Sequence, residues 1–212
     1  MSDFIEVYDV LNKSQCKWII DLFNEDSRIH PGYTGSGVNS KQKLSTDLNC
    51  NFDDDQYNQY NTIIGSAVLE AQKRYIEKYP VVKYGTKWEL FPHYNLQWYK
   101  DGEGYFQEHM EYHYDYPNRM LVWSLFLNDA ECGTYFVHYD KVIPAVAGSI
   151  IVFPAYWMHT HRGVVPNIGD KYIATGWWEY KPPISQDTIR ELTESMQQFM
   201  MDGGSLNNLR AS

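Results

Sequence analysis

Cysteine is scarce in this chain. Cys16, Cys50 and Cys132 are the only three in 212 residues, too few and too scattered for a disulfide framework or a thiolate-rich zinc site, and this usage fits a reducing compartment. Basic runs are missing as well. With a formal net charge of −9 and no cluster of Lys and Arg, the chain has no stretch suited to tracking phosphates, so nucleic acid is excluded as a partner. No window approaches the ~18 consecutive apolar residues of a membrane span. The opening MSDFIEVYDVL has neither the basic nor the apolar region of a secretory signal. The expectation is a cytosolic protein that makes no use of a membrane.

What is abundant is aromatic: 16% of residues, including 18 Tyr and 7 Trp. Tyrosine and tryptophan suit pleated, half-buried surfaces and pockets that need a polar tip on an apolar body, which favours β structure around a cavity. Hydrophobic residues make up 43% and charged residues 21%, an ordinary globular balance for one domain over 1–212.

A short strand is predicted over Phe4 to Tyr8. Ser14 then precedes Trp18, Ile19, Leu22 and Phe23, whose spacing predicts a first amphipathic helix near 14–25. Ser27 to Asn51 is rich in Gly, Ser, Thr and Asn and reads as a long, partly mobile loop of the kind that carries function. Tyr57, Tyr60, Ile64, Val68, Ala71 and Tyr75 recur at steps of three and four before Pro80, giving a second helix over 54–79. From 88 to 180 the chain changes to short Val, Ile, Tyr, Phe and Trp runs broken by Gly, Pro, Asn and Asp. Strands are expected at 93–99, 105–111, 120–127, 134–137, 142–147, 149–153, 157–162 and 171–180, a pattern that suggests a jelly roll or barrel. A last amphipathic helix, capped by Ser185 and carrying Ile189, Leu192, Met196, Phe199 and Met200, is expected to buttress the sheet, and the tail from Gly203 is expected to fray. The fold class is mainly β with flanking helices: a β core over 88–180 with helical support from 14–79 and 185–201.

Five of the seven histidines (His109, His113, His138, His159, His161) cluster within 109–161 of the β-rich half. In His109-Met110-Glu111 the two polar side chains are two residues apart, so on a strand they share one face and can grip one ion. His113-Tyr114-Asp115 offers the same geometry. A late histidine, His159 or His161, lies where a jelly roll returns a strand beside an early one. Two imidazoles and one carboxylate occupy one face of an octahedron and leave three positions open, the arrangement of non-haem Fe(II) oxygenases.

The stretch Leu96 to Tyr180, 85 residues, resembles the catalytic core of the prolyl-4-hydroxylase-like 2-oxoglutarate/Fe(II) dioxygenases, including phage-borne versions. In that family a tyrosine and a Gly-rich turn precede an H-x-D or H-x-E pair, and here Tyr99, Gly102 and Gly104 precede His109 and Glu111. Ten residues separate His161 from Lys171, as the family separates its distal histidine from the basic residue that binds the far carboxylate of 2-oxoglutarate. Ala147-Gly148-Ser149-Ile150-Ile151-Val152-Phe153-Pro154 resembles the strand leading into that histidine. The resemblance implies a double-stranded β-helix with His109, Glu111 and His161 as ligands to Fe(II), in preference to His113 with Asp115 and to His159. His159 is then a pocket or supporting residue, and His30, His93 and His138 are surface or structural. It also implies Lys171 and Tyr99 as binders of 2-oxoglutarate, O2 as cosubstrate with ascorbate as a further reductant, and host cytoplasm for a viral member. Two departures stand out: Glu111 replaces the more common Asp, and Phe126 lacks the hydroxyl that some relatives place there.

Lys171 opens the run Lys171-Tyr172-Ile173-Ala174-Thr175-Gly176-Trp177, whose alternate members share a face, so a lone cation enters an otherwise apolar wall. A buried ammonium needs an anion, and a dicarboxylate supplies one, with Thr175 as a helper. The reaction implied is oxidative decarboxylation of 2-oxoglutarate to succinate and CO2 coupled to hydroxylation of a C–H bond, with a prolyl residue in a peptide or protein as target. The Ser27–Asn51 loop with Tyr112, Tyr114, Tyr116 and Trp157 is expected to form a groove for an extended, proline-rich segment. Two rivals remain: a non-catalytic β-sandwich binding module and a zinc hydrolase using the same ligands. A hydrolase has no need of a deep cation at 171.

Overall fold

A computed structural model describes residues 2–34, 37–84, 86–166, 168–181 and 186–201. The chain divides into two compact units, 1–181 and 182–212. In the first unit β1 (Glu6–Asp9) leads into α1 (Lys13–Glu25). Asn12 caps α1 in place of Ser14. The Asn12 side chain accepts the Gln15 N–H and Gln15 Oε1 accepts the Asn12 N–H, both at 3.0 Å, so two orphan donors are satisfied reciprocally. Its buried stripe is Cys16, Ile19 and Phe23, while Trp18 is exposed.

The segment expected to be loop begins with β2 (His30–Pro31) and ends in a strand, β3 (Thr46–Asn51). Asp47, Asn49 and Asn51 disguise β3 because they have poor strand propensity. It is held by tertiary pairing with the next strand, with Leu48 and Cys50 buried on one face. After a short 3-10 turn at Asp55–Tyr57, α2 (Asn58–Lys78) buries Tyr60, Ile64, Ala67, Val68, Ala71 and Tyr75, the predicted helical spacing.

The β-rich half contains β4 (Trp88–Tyr99), β5 (Arg119–Phe126), β6 (Ala130–Phe136), β7 (Lys141–Ala145), β8 (Ser149–Pro154), β9 (His161–Val164) and β10 (Lys171–Tyr180). Two expected strands differ. Residues 105–111 pair only at isolated points, Tyr105 with Lys43 and His109 with His161, because the chain then turns away to donate the Glu111 N–H to the Ala155 carbonyl at 3.2 Å. Trp157–His159 is a 3-10 turn, and the strand starts only at His161. In the second unit α3 (Gln186–Met201) forms as predicted. Met196 and Phe199 of this helix are exposed. The Ser185 cap and the tail from Gly203 lie outside the described residues.

Strands of the first unit form an antiparallel sheet in the order β1-β8-β5-β10-β4-β3-β2 and a smaller one in the order β7-β6-β9. Together they make the expected jelly roll. Behind the large sheet, Trp123, Tyr94, Leu96, Val152 and Trp178 pack with Ile19, Phe23, Ile64 and Val68 of the two helices. Gly176 is dictated by this layer, since a Cβ there would lie 2.5 Å from the Trp123 ring. Between the sheets, Val122, Phe126, Ile151 and Phe153 meet Phe136, Ile143 and Ala145, and the remaining space is the cavity. Among the described residues no helix is long and apolar enough to cross a membrane.

Candidate metal centre and its cavity

His109, Glu111 and His161 converge. One ligand atom from each lies within 4.8 Å of the other two. Backbone pairing between His109 and His161 brings the two imidazoles together, with reciprocal N–H to carbonyl bonds of 2.9 Å. Each ring is then oriented by its own chain: His109 Nδ1 donates to the Gln107 carbonyl and His161 Nδ1 to the His159 carbonyl, both at 2.9 Å. That fixes the tautomer and leaves both Nε2 lone pairs free. They face Glu111 Oε1 at 3.6 and 3.7 Å. Burial and the neighbouring His109 charge push the His161 pKa down to about 4, so its imidazole is neutral and ready to ligate at neutral pH.

Glu111 is held by its other oxygen. Oε2 accepts from Arg119 Nη1 and from Trp177 Nε1, each at 3.0 Å, which leaves Oε1 for the space between the histidines. Burial works to raise the Glu111 pKa, but the neighbouring His109, Arg119 and His161 hold it well below the usual carboxylate range. Arg119 is itself sandwiched, with its guanidinium carbon 3.7 Å from the Trp177 ring centre and 4.1 Å from that of Tyr116. It reaches Glu111 because of a β-bulge: β10 pairs Trp178 with Leu121 but Glu179 with Arg119. The extra residue sends both Met120 and Leu121 into the core behind the sheet, so Arg119 turns to the cavity. Plain alternation along the sequence conceals this, and neither Arg119 nor Trp177 is readable there as a supporting residue.

The cavity, about 620 Å³, is lined by the trio and by Lys171, Tyr99, Thr175 and Phe126. Lys171 is 3% exposed. Among the described residues its Nζ reaches the Val164 carbonyl at 3.4 Å and the face of Tyr99, 4.6 Å from the ring centre. No carboxylate pairs with it among the described residues, and burial pushes its pKa down. Gly163 leaves room for it, since a Cβ there would sit 3.3 Å from Nζ. The Tyr99 hydroxyl donates to Gln97 Oε1 at 2.9 Å, and the Thr175 hydroxyl to the Trp123 carbonyl at 3.0 Å. Burial, then the charge of Asp47, raises the Tyr99 pKa well above its ordinary value.

Beside Tyr99 lies a buried polar network that the sequence disguised as loop. Lys43 pairs with Asp47, Ser45 donates to Asp47 at 2.7 Å, and Gln97 Nε2 reaches Asp47 at 3.4 Å. The competing histidines fall elsewhere. His113 and Asp115 pair with each other at 3.2 Å with side chains 62% and 63% exposed. His159 is buried but turns its Nε2 to the Asp3 carbonyl at 2.8 Å, so it serves the site through its own carbonyl. His138 packs edge-on against Trp157, and His30 bonds Asn49. Tyr105 stacks on His109 with ring centres 3.9 Å apart.

The donor set fits Fe(II): two imidazole nitrogens and one carboxylate oxygen on one side, with open space opposite. No protein-family model and no curated protein matches the sequence. Solved structures do match. A Pseudomonas putida prolyl-4-hydroxylase aligns over 84% of this chain and 94% of its own at 16% identity, TM-score 0.64. A viral collagen prolyl hydroxylase from Paramecium bursaria Chlorella virus-1, in its 2-oxoglutarate complex, aligns over 84% and 97% at 17% identity, TM-score 0.58. A Trichoplax adhaerens prolyl hydroxylase, in complex with a hypoxia inducible factor peptide fragment, aligns over 84% of both chains at 12% identity, TM-score 0.66. The chain has the prolyl 4-hydroxylase fold.

Proposed function

We propose that this protein is a 2-oxoglutarate- and Fe(II)-dependent dioxygenase that hydroxylates a C–H bond of a prolyl residue in a peptide or protein. One observation carries the proposal: a His–Glu–His trio and a buried ammonium with no carboxylate partner among the described residues open into the same cavity. The trio alone would equally suit a zinc hydrolase. Lys171 separates the readings, because a buried cation without an anion is costly and hydrolysis has no use for it. A β-sandwich binding module needs neither feature.

His109 Nε2, His161 Nε2 and Glu111 Oε1 are the atoms that would hold the metal, with Arg119 and Trp177 fixing the carboxylate. Bound there, Fe(II) with 2-oxoglutarate and O2 supplies the oxidising chemistry that yields succinate, CO2 and a hydroxylated product. Lys171 anchors the far carboxylate of the cosubstrate, and Tyr99 packs its ring against that ammonium. The apolar walls from Val122, Phe126, Ile151 and Phe153 exclude water. For a peptide substrate the support is the peptide held by the Trichoplax neighbour and the exposed Tyr112, Tyr114, Tyr116 and Trp157. The test is succinate release with Fe(II), O2 and 2-oxoglutarate, with ascorbate as reductant, measured with and without proline-rich peptides. Turnover raised by a peptide supports the reading, and basal succinate unmoved by any of them removes the prolyl substrate.

A further inference from the structure

Across the cavity floor runs a row of three polar side chains from adjacent strands. Thr175 of β10 is paired in register with Asn95 of β4 on one side and with Ser124 of β5 on the other. All three line the cavity. They do not have equal freedom. Thr175 has its proton engaged by the Trp123 carbonyl at 3.0 Å and is left as an acceptor. The side chains of Ser124, which is 7% exposed, and Asn95 make no hydrogen bond among the described residues. Asn95 is half-buried, and both side chains open onto the cavity, so their donors are available to water or to a ligand there.

Their place along the strand says which part of a ligand they meet. The cavity-facing members of β10 run Lys171, Ile173, Thr175 and Trp177. Lys171 marks the cationic end, and Trp177, bonded to Glu111, marks the metal-ligand end. A ligand that joins the two must pass the Thr175 row. Phe126, on the same strand and face as Ser124, presents only a phenyl ring, and the Tyr99 proton is engaged by Gln97. We infer that Ser124 and Asn95 are a donor pair for the oxo-acid end of the cosubstrate. The Ser124 O–H and an Asn95 Nδ2–H donate to its oxygens while Lys171 pairs with the far carboxylate. The inference rests on the 2-oxoglutarate reading and adds two residues to it.

Binding, not turnover, tests it. Calorimetric titration of the Mn(II)-loaded protein under anaerobic conditions would compare 2-oxoglutarate with 2-oxovalerate, which keeps the oxo-acid end and lacks the far carboxylate. Ser124→Ala and Asn95→Leu should each weaken both ligands by about ten- to a hundredfold, the range for a hydrogen bond to a charged group. Lys171→Met should weaken 2-oxoglutarate alone. Ser124→Ala removes one small atom, so its fold can be checked by circular dichroism, and it keeps the test valid should Asn95→Leu fail to fold. Unchanged affinity for 2-oxovalerate in a folded Ser124→Ala overturns the inference, as does a loss confined to 2-oxoglutarate. A native protein that binds neither ligand overturns both the inference and the dioxygenase reading. A native protein that binds both while Ser124→Ala is silent overturns only the inference.

Discussion

Replacing Lys171 by Met should move two stabilities in opposite directions. The side chain is 3% exposed, and its ammonium has one carbonyl at 3.4 Å and a ring face for company. Methionine keeps much of the volume and removes the charge. Without ligand the variant should therefore be as stable as the native protein or more so, by about 1–4 kcal/mol, the range seen when buried ion pairs give way to apolar groups. For a chain of this size that is roughly 2–4 °C in Tm per kcal/mol. With 2-oxoglutarate the sign reverses: removing one partner of a buried charge pair costs about 2–5 kcal/mol of binding, a loss of thirtyfold or more. A native protein saturated at ~100 times Kd gains about 2.7 kcal/mol of stability, and the variant should gain no more than about 0.9 kcal/mol at the same concentration.

The pH dependence carries the same signature. Burial lowers the Lys171 pKa in the folded state, so between that value and the ordinary lysine value the unfolded chain holds more protons than the folded one. Ligand-free stability then rises with pH through that window, and Lys171→Met lacks this contribution. Affinity for 2-oxoglutarate runs the other way and falls as pH climbs through the lowered pKa, because the neutral amine no longer pairs with a carboxylate. Thermal melts with and without cosubstrate across alkaline pH measure both. A variant that melts lower without ligand and still binds 2-oxoglutarate normally would refute the reasoning.

Three further outcomes are expected. Trp177→Phe keeps the ring and removes the 3.0 Å bond to Glu111 Oε2, and Arg119→Gln removes its charged partner. Each should weaken metal affinity about ten- to a hundredfold by competition titration, and an unchanged affinity would mean that Glu111 needs no support. His113→Ala should leave metal binding intact while His109→Ala abolishes it, since His113 is exposed and paired with Asp115; the reverse would move the site. Gly176→Ala forces a Cβ to within 2.5 Å of the Trp123 ring and should cost about 1–3 kcal/mol by urea unfolding. A neutral result would show that the indole yields.

The trio was legible because its signal is local and periodic. A His-x-Glu step of two shares a face on any extended backbone, and 109 and 161 stay partners although 105–111 pairs with its neighbour only at single positions. Lys171 was legible as a cation in an apolar run. Resolving the trio from His113 with Asp115 took the family resemblance, since the two motifs have the same step. Arg119 was not legible because a bulge reverses the alternation of β5 just where it emerges. Nor were Lys43, Ser45 and Asp47: their polarity reads as solvated loop, and only the pairing of β3 with β4 shows that they are buried. Asn12 displaced Ser14 as the helix cap because Gln15 reciprocates its hydrogen bond.

The most direct measurement is an anaerobic titration of the native protein with Fe(II) and 2-oxoglutarate, followed by the weak visible band of a metal-chelated oxo-acid. The account predicts a saturable band that needs both components and is lost in His161→Ala. A folded native protein that gives no band when both are in excess would contradict it.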